Sequence, residues 1–81
     1  MKVIKLWASW CNPCKTLSRN LQDFDLCELK EVDVDENQEA MHEYGVRNIP
    51  ALIIMKDDKI VERLIGVISK EQLENKVNAF K

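Results

Sequence analysis

Residues 10–15 have the sequence Trp-Cys-Asn-Pro-Cys-Lys, in which two cysteines are separated by two residues. Residues three apart lie on the same side of a helical turn, so the sulfurs of Cys11 and Cys14 can approach bonding distance. The apolar run of residues 2–7 is typical of a buried strand, whereas apolar residues recur at helical spacing after Pro13. The sequence therefore predicts a cysteine pair between a strand and a helix.

The position of Cys11 at the start of a helix favours redox chemistry. Unpaired amide groups and the helix dipole stabilise an anion there, and the thiolate is the reactive form of a cysteine. Pro13 suits the first helical turn because its missing amide hydrogen is not needed there. Trp10 gives Cys11 an amphipathic neighbour that is suited to contacting a partner chain.

The order of the predicted elements is β-α-β-α-β-β-α. Strands are indicated over residues 2–7, 29–34, 51–55 and 59–65, with a tight turn at residues 57–58. The first half requires a crossover helix between parallel strands, and the second half contains an antiparallel hairpin. The predicted fold class is α/β, a mixed four-stranded sheet covered by helices. A chain of 81 residues has room for one domain, which we expect over residues 1–81.

Two capping boxes predict where the second and third helices begin. Asp35 with Gln38 precedes one helix, which Gly45 ends, and Ser69 with Gln72 precedes the other. The apolar faces of the three helices are formed by Cys14, Leu17, Leu21 and Phe24, by Ala40, Met41 and Tyr44, and by Leu73, Val77 and Phe80.

Composition and charge argue against several classes of partner. The chain is 46% hydrophobic and 32% charged, and 12 basic residues against 14 acidic ones give a net charge of −2. Nucleic acids and anionic membranes are normally bound by a basic patch, so neither is expected as a partner. No apolar run approaches the roughly 20 residues of a membrane helix, and the first residues are a poor signal peptide. We therefore expect a cytoplasmic protein.

Three cysteines cannot all pair within one chain, and an odd number does not indicate a disulfide framework. Metal binding, redox catalysis and simple burial remain as possible uses. Cys11, Cys14, Cys27 and His42 could form a zinc site, but the last two lack the short paired spacing of common zinc modules. We therefore favour redox chemistry without a metal, with Cys27 as a buried thiol or an oxidation site and His42 solvated.

Three segments, in order along the chain, resemble the thioredoxin family. Residues 10–15 are similar to the family's active site, which normally has the sequence Trp-Cys-Gly-Pro-Cys-Lys. Residues 44–50, Tyr-Gly-Val-Arg-Asn-Ile-Pro, resemble the segment that carries the family's cis-proline, and the similarity resumes at Ile65-Gly66 and residues 69–73. Because the sequence starts directly at the strand before the active site, it resembles the compact, phage-type members of the family.

The resemblance implies a protein thiol–disulfide oxidoreductase. Cys11 would attack a substrate disulfide, and the more buried Cys14 would resolve the mixed disulfide. Pro50 would be cis and pack against the cysteine pair, while the Ile49 backbone would bind the substrate as a short strand. The implied active-site loop also contains Trp10, Asn12 and Pro13, and the implied groove is lined by Trp10, Asn48 and Gly66.

The resemblance also implies the source of electrons and the partners. Electrons would come from NADPH through a thioredoxin reductase, with no bound cofactor beyond the redox-active Cys11–Cys14 disulfide. The expected partners are this reductase and proteins with disulfide bonds, and the chain is expected to be a monomer.

Two features depart from the family pattern. Asn12 replaces the usual glycine between the cysteines, which leaves the redox potential open. Lys5 stands where the family usually has a buried aspartate, and Glu31 stands where the lysine partner of that aspartate is usual. We hypothesise that Lys5 and Glu31 form an ion pair beneath the active site, because a carboxylate partner offsets the cost of a buried ammonium. The alternative is that Lys5 extends to solvent and Glu31 is a surface charge.

Two further functions remain as alternatives. A glutathione-linked glutaredoxin would use the same chemistry, but glutaredoxins tend to carry Val before the cis-proline and a Gly-Gly pair, where this chain has Ile49 and the single Gly66. Thioredoxins can also serve as assembly or polymerase-accessory subunits without using their thiols.

Overall fold

A computed structural model describes residues 1–81 and contains four strands and three helices. The elements are β1 (Lys2–Trp7), α1 (Asn12–Asn20), β2 (Glu28–Asp33), α2 (Ala40–Tyr44), β3 (Ala51–Lys56), β4 (Lys59–Ile65) and α3 (Lys70–Ala79). This order and the α/β class agree with the prediction. None of the helices has the length and apolar character that crossing a membrane requires.

The four strands form one mixed sheet in the order β2-β1-β3-β4. β1 pairs in parallel with β2 and antiparallel with β3, and β3 pairs antiparallel with β4. β1 therefore lies inside the sheet, and the loop after it carries the cysteine pair to the carboxyl end of a central strand. Asp57 and Asp58 connect β3 to β4, and both have positive φ, as a two-residue type I′ hairpin requires.

The core has two layers, one on each side of the sheet. One layer joins Val3, Leu52 and Ile54 of the sheet to apolar residues of α1 and α3, such as Leu17 and Leu73. The other layer joins the opposite face of the sheet to α2 and its flanking loops, and it also contains both active-site cysteines. The cysteine pair is thus anchored in packed core rather than in a free loop.

Two predictions about the helices were wrong in detail. The second helix begins at Ala40, and its N-cap Glu39 makes no side-chain cap hydrogen bond, so Asp35 and Gln38 do not form a capping box. α1 ends at Asn20, although Leu21 beyond it is buried in the core. The other predicted signals are present. Gly45 ends α2 in the left-handed conformation, and Ser69 with Gln72 forms a complete capping box on α3.

Candidate active site

Cys11 and Cys14 form a disulfide at the N-terminus of α1, with their Cα atoms 5.3 Å apart. Cys11 is the N-cap residue, and its Sγ accepts a hydrogen bond from the backbone N–H of Cys14 at 3.2 Å. The amide of Cys11 donates to the carbonyl of Ala8 at 3.1 Å, which fixes the turn between β1 and α1. An amide hydrogen bond and the end of the helix dipole therefore both act on Cys11 Sγ.

The two cysteines differ in exposure. Cys11 is 5% exposed and Cys14 is 1% exposed, so Cys11 offers the larger accessible surface of the pair. Asn12 and Pro13, between them, are exposed and belong to the first turn of α1. An incoming sulfur can therefore reach Cys11 from solvent more easily than Cys14.

Pro50 and Gly66 lie together beside the cysteine layer. The Ile49–Pro50 peptide bond is cis, and Pro50 is fully buried directly before β3. The amide of Gly66 donates to the carbonyl of Pro50 at 2.9 Å, and the half-buried Ile49 packs against the core layer that contains Cys11 and Cys14. Asn48 is exposed, one residue before Ile49. Gly66 has a φ of 99°, in the left-handed region that favours glycine.

Large apolar side chains are exposed at Trp10, Ile65 and Val67. Trp10 directly precedes Cys11 and is 66% exposed, whereas Ile65 and Val67 flank Gly66. The sequence prediction did not include Ile65 and Val67. Ile65 is the final residue of β4, and its apolar character alone does not show that the end of the strand is exposed to solvent.

Asp35 holds the indole ring of Trp10. Trp10 Nε1 donates a hydrogen bond to Asp35 Oδ2 at 2.9 Å. The sequence prediction used Asp35 as a helix cap and therefore missed this contact, which joins residues 25 positions apart. No local sequence pattern signals such a long-range hydrogen bond.

Lys5 and Glu31 form an ion pair across β1 and β2. The two residues are direct neighbours in the parallel register, and Lys5 Nζ contacts Glu31 Oε1. Lys5 is 2% exposed, whereas the Glu31 side chain is 55% exposed. Lys5 Nζ also donates to Ser18 Oγ on α1, a partner that the sequence prediction did not identify. Ser18 lies with Cys14 and Trp7 on the wall of a cavity of about 240 Å³.

Cys27 and His42 lie outside the site. Cys27 is a free, half-buried thiol, and burial raises the pKa of this thiol, with the N-terminal amine and Lys81 acting in the opposite direction. His42 is exposed on α2. No three His, Cys, Asp or Glu side chains are grouped closely enough to hold a metal ion, so the structure does not assemble the alternative zinc set.

Comparison with known proteins identifies the family. A family model described as Thioredoxin matches residues 1–79. The chain is 42% identical to a thioredoxin of Bacillus subtilis, with 89% of this chain and 74% of that protein covered. It is 37% identical to a thioredoxin of Listeria monocytogenes, with 91% and 77% covered. A solved structure of a mutant thioredoxin from Halobacterium salinarum has a TM-score of 0.88 at 29% identity, covering 98% of this chain and 73% of that one.

These similarities favour a thioredoxin over the glutaredoxin and accessory-subunit alternatives. They agree with the chemistry of the site, because a disulfide at a helix N-terminus can accept two electrons and return them by thiol–disulfide exchange. The chain belongs to the thioredoxin family and is a protein thiol–disulfide oxidoreductase.

Proposed function

We propose that this thioredoxin reduces disulfide bonds of other proteins, with Cys11 as the nucleophile and Cys14 as the resolving cysteine. The observation that carries this assignment is the arrangement at the start of α1. Cys11 is the N-cap with the larger accessible surface, and Cys14 lies one turn further into the core. Amides at a helix N-terminus stabilise a thiolate, so the accessible sulfur is also the activated one.

The reaction consists of two exchange steps. The Cys11 thiolate attacks one sulfur of the substrate disulfide, and the other substrate sulfur leaves as a thiolate. The Cys14 thiolate then attacks Cys11 Sγ, which breaks the mixed disulfide and releases the second substrate sulfur. Two electrons pass to the substrate, and the Cys11–Cys14 disulfide is formed.

The substrate chain would lie in the groove beside Cys11. We assign the exposed apolar side chains of Trp10, Ile65 and Val67 to this groove, because exposed apolar surface on small proteins can mark an interaction site. We assign the backbone of Ile49, next to the cis Pro50, to hydrogen bonding with an extended substrate segment. Asn48 and Gly66 complete the groove, while Asn12 and Pro13 form the loop between the cysteines.

We further propose that a thioredoxin reductase returns the disulfide to the dithiol with electrons from NADPH. The support is the family match and the accessible surface of Cys11, which is larger than that of Cys14 and which a reductase must reach as a substrate does. The chain would act as a monomeric single domain. The free thiol of Cys27 fits a reducing cytoplasm, where thiols are kept reduced.

Turnover of insulin disulfides tests this proposal. The protein is supplied either with NADPH and thioredoxin reductase or with NADPH, glutathione and glutathione reductase, and NADPH oxidation is followed. We expect activity in the first system only, and loss of that activity in Cys11→Ser. Activity only with glutathione would instead identify a glutaredoxin-type reaction, and inactivity in both systems would reject the proposed function.

A further inference from the structure

Lys5 is the one charged residue in the buried core. It lies in the middle of β1, between Glu31 on β2 and Leu52 on β3. Its ammonium group has two polar partners, the carboxylate of Glu31 and the hydroxyl of Ser18. A buried ammonium is tolerated only when it is paired in this way, so its position is fixed.

The two charges of the pair are screened differently. The Glu31 side chain is 55% exposed on β2, which is an edge strand, so water surrounds much of its negative charge. Lys5 is 2% exposed and lies where the effective dielectric constant is low. The pair therefore has a net positive electrostatic effect on groups inside the protein.

Cys14 is the reactive group one helical turn from Ser18, the α1 residue that binds this ammonium. Ser18, which binds Lys5 Nζ, follows Cys14 by four residues on α1, and residues at that spacing are neighbours on one helix face. Cys14 and Ser18 also line the same cavity of about 240 Å³. The charged residues that line this cavity are Lys15 and Arg19, both exposed, and no carboxylate lines it.

We propose that Lys5 stabilises the thiolate of Cys14 and thereby speeds resolution of the mixed disulfide. Lys5 is a positioning residue in this step, since it acts through its electric field and takes no proton. Cys14 loses its proton to solvent, its electron pair forms the bond to Cys11 Sγ, and the substrate sulfur leaves as a thiolate. This inference rests on the proposed function only in that Cys14 is the resolving cysteine.

The two steps can be timed separately with an aromatic disulfide whose released thiolate is coloured. In a Cys27→Ala background, Cys11 releases the first equivalent at a rate that depends on reagent concentration. Cys14 then releases the second equivalent at a rate that does not. Lys5→Met removes the buried charge at similar volume, and the Glu31 carboxylate that loses its partner is 55% exposed, so water can solvate it. Lys30→Met is the matched control, because it removes the same charge from an exposed position of β2.

We expect Lys5→Met to slow the second step about tenfold at neutral pH, the size of effect that loss of one nearby unit charge has at an intermediate dielectric constant. The difference should vanish at high pH, where Cys14 is fully ionised in both proteins. The first step and both steps of Lys30→Met should match the parent protein within about twofold. Equal second-step rates for Lys5→Met and the parent at neutral pH would overturn the proposal.

Glu31→Gln provides the opposite change and separates electrostatics from structure. It removes the negative partner but keeps an oxygen that can accept from Lys5 Nζ, so we expect the second step to be at least as fast as in the parent. A slower second step would overturn the proposal, because it would make Glu31 the proton acceptor or the pair purely structural. If Lys5→Met fails to fold, the second-step rate of Glu31→Gln still tests the proposal.

A direct measurement of the thiolate complements the rates. In Cys11→Ser with Cys27→Ala, Cys14 is the sole thiol, and its ultraviolet thiolate absorbance can be followed against pH. Adding Lys5→Met should move this titration to higher pH, and an unchanged titration would contradict the inference. Failure of the parent protein to release a second coloured equivalent would instead reject the roles of Cys11 and Cys14, which keeps the two claims distinguishable.

Discussion

Cys27 and the active-site cysteines differ in their surroundings, and we expect this difference to decide which thiol reacts. Cys11 sits at a helix N-terminus, where amides stabilise an anion, whereas Cys27 precedes β2 and packs at the edge of the core. Burial raises the pKa of the Cys27 thiol, so a smaller fraction of it is thiolate near neutral pH. We therefore expect Cys11 and Cys27 to differ in reactivity although both are cysteines.

Alkylation of the reduced protein should follow this order. At pH 7 we expect iodoacetamide to label Cys11 first and Cys27 slowly, with labelling of Cys27 rising as the pH approaches its raised pKa. Peptide mass spectrometry against time gives both rates. Labelling of Cys27 as fast as Cys11 at pH 7 would contradict the prediction, and Cys27→Ala should leave insulin reduction unchanged.

The hydrogen bond from Trp10 to Asp35 orients the most exposed aromatic side chain of the site. In Asp35→Ala the indole loses this partner, so we expect insulin reduction to fall about fivefold, the equivalent of about 1 kcal/mol for one hydrogen bond. Glu36→Ala is the control, since Glu36 is an exposed neighbouring acid. Equal rates in Asp35→Ala and Glu36→Ala would show that the contact does not matter for turnover.

At the residue scale, the sequence predicted the redox-active cysteines, but it did not predict the side-chain contacts of Ser18 and Asp35. The Cys-x-x-Cys spacing and the helix start were enough to predict the position of the disulfide. The Lys5–Glu31 hypothesis depended on strand alternation and on the family resemblance, and alternation alone does not choose between adjacent strands. Ser18 and Asp35 form their contacts through tertiary packing, at separations of 13 and 25 residues, which no local pattern reveals.

At the scale of elements, only one of the two predicted capping boxes forms, because a helix begins directly after Ser69 but not directly after Asp35. At α3 the Ser69 hydroxyl accepts from the Gln72 amide at 3.1 Å, and the Gln72 side chain accepts from the Ser69 amide at 2.8 Å. At α2 the chain makes further turns after Asp35, and the helix begins only at Ala40. The Asp35 carboxylate is used by Trp10 instead, so a tertiary contact replaced the local one.

Ser69→Ala should lower the free energy of unfolding by about 1 kcal/mol, because it removes the N-cap acceptor of α3. For a domain of this size that loss corresponds to a fall in Tm of about 4–8 °C. Gln38→Ala is the matched control at the site without a box, and we expect a change within about 0.5 kcal/mol. Thermal unfolding followed by circular dichroism measures both. A larger loss in Gln38→Ala than in Ser69→Ala would contradict the cap assignment.

At the scale of the whole molecule, the topology was predictable because few arrangements satisfy the order of elements. A crossover helix between β1 and β2 requires parallel pairing, and a two-residue turn requires antiparallel pairing of β3 with β4. The position of β1 inside the sheet follows once β3 pairs on its other side. The end of α1 at Asn20 was not predictable, because Leu21 and Phe24 continue the apolar spacing and still pack on the core after the helix has ended.

The same topology explains why one residue pair can couple the sheet to the active site. β1 ends at the loop that carries Cys11, and its buried Lys5 contacts both the neighbouring strand and the helix that holds Cys14. The strand and helix that flank the cysteine pair, β1 and α1, are therefore also elements that form the core of the fold.

Trapping of the mixed disulfide tests the division of labour between Cys11 and Cys14 most directly. Cys14→Ser cannot resolve the intermediate, so after reaction with insulin a covalent adduct should accumulate, and peptide mass spectrometry should map its disulfide to Cys11. Cys11→Ser treated in the same way should give little adduct. Absence of an adduct with Cys14→Ser, or an adduct mapped to Cys27, would contradict the assignment of Cys11 as the nucleophile.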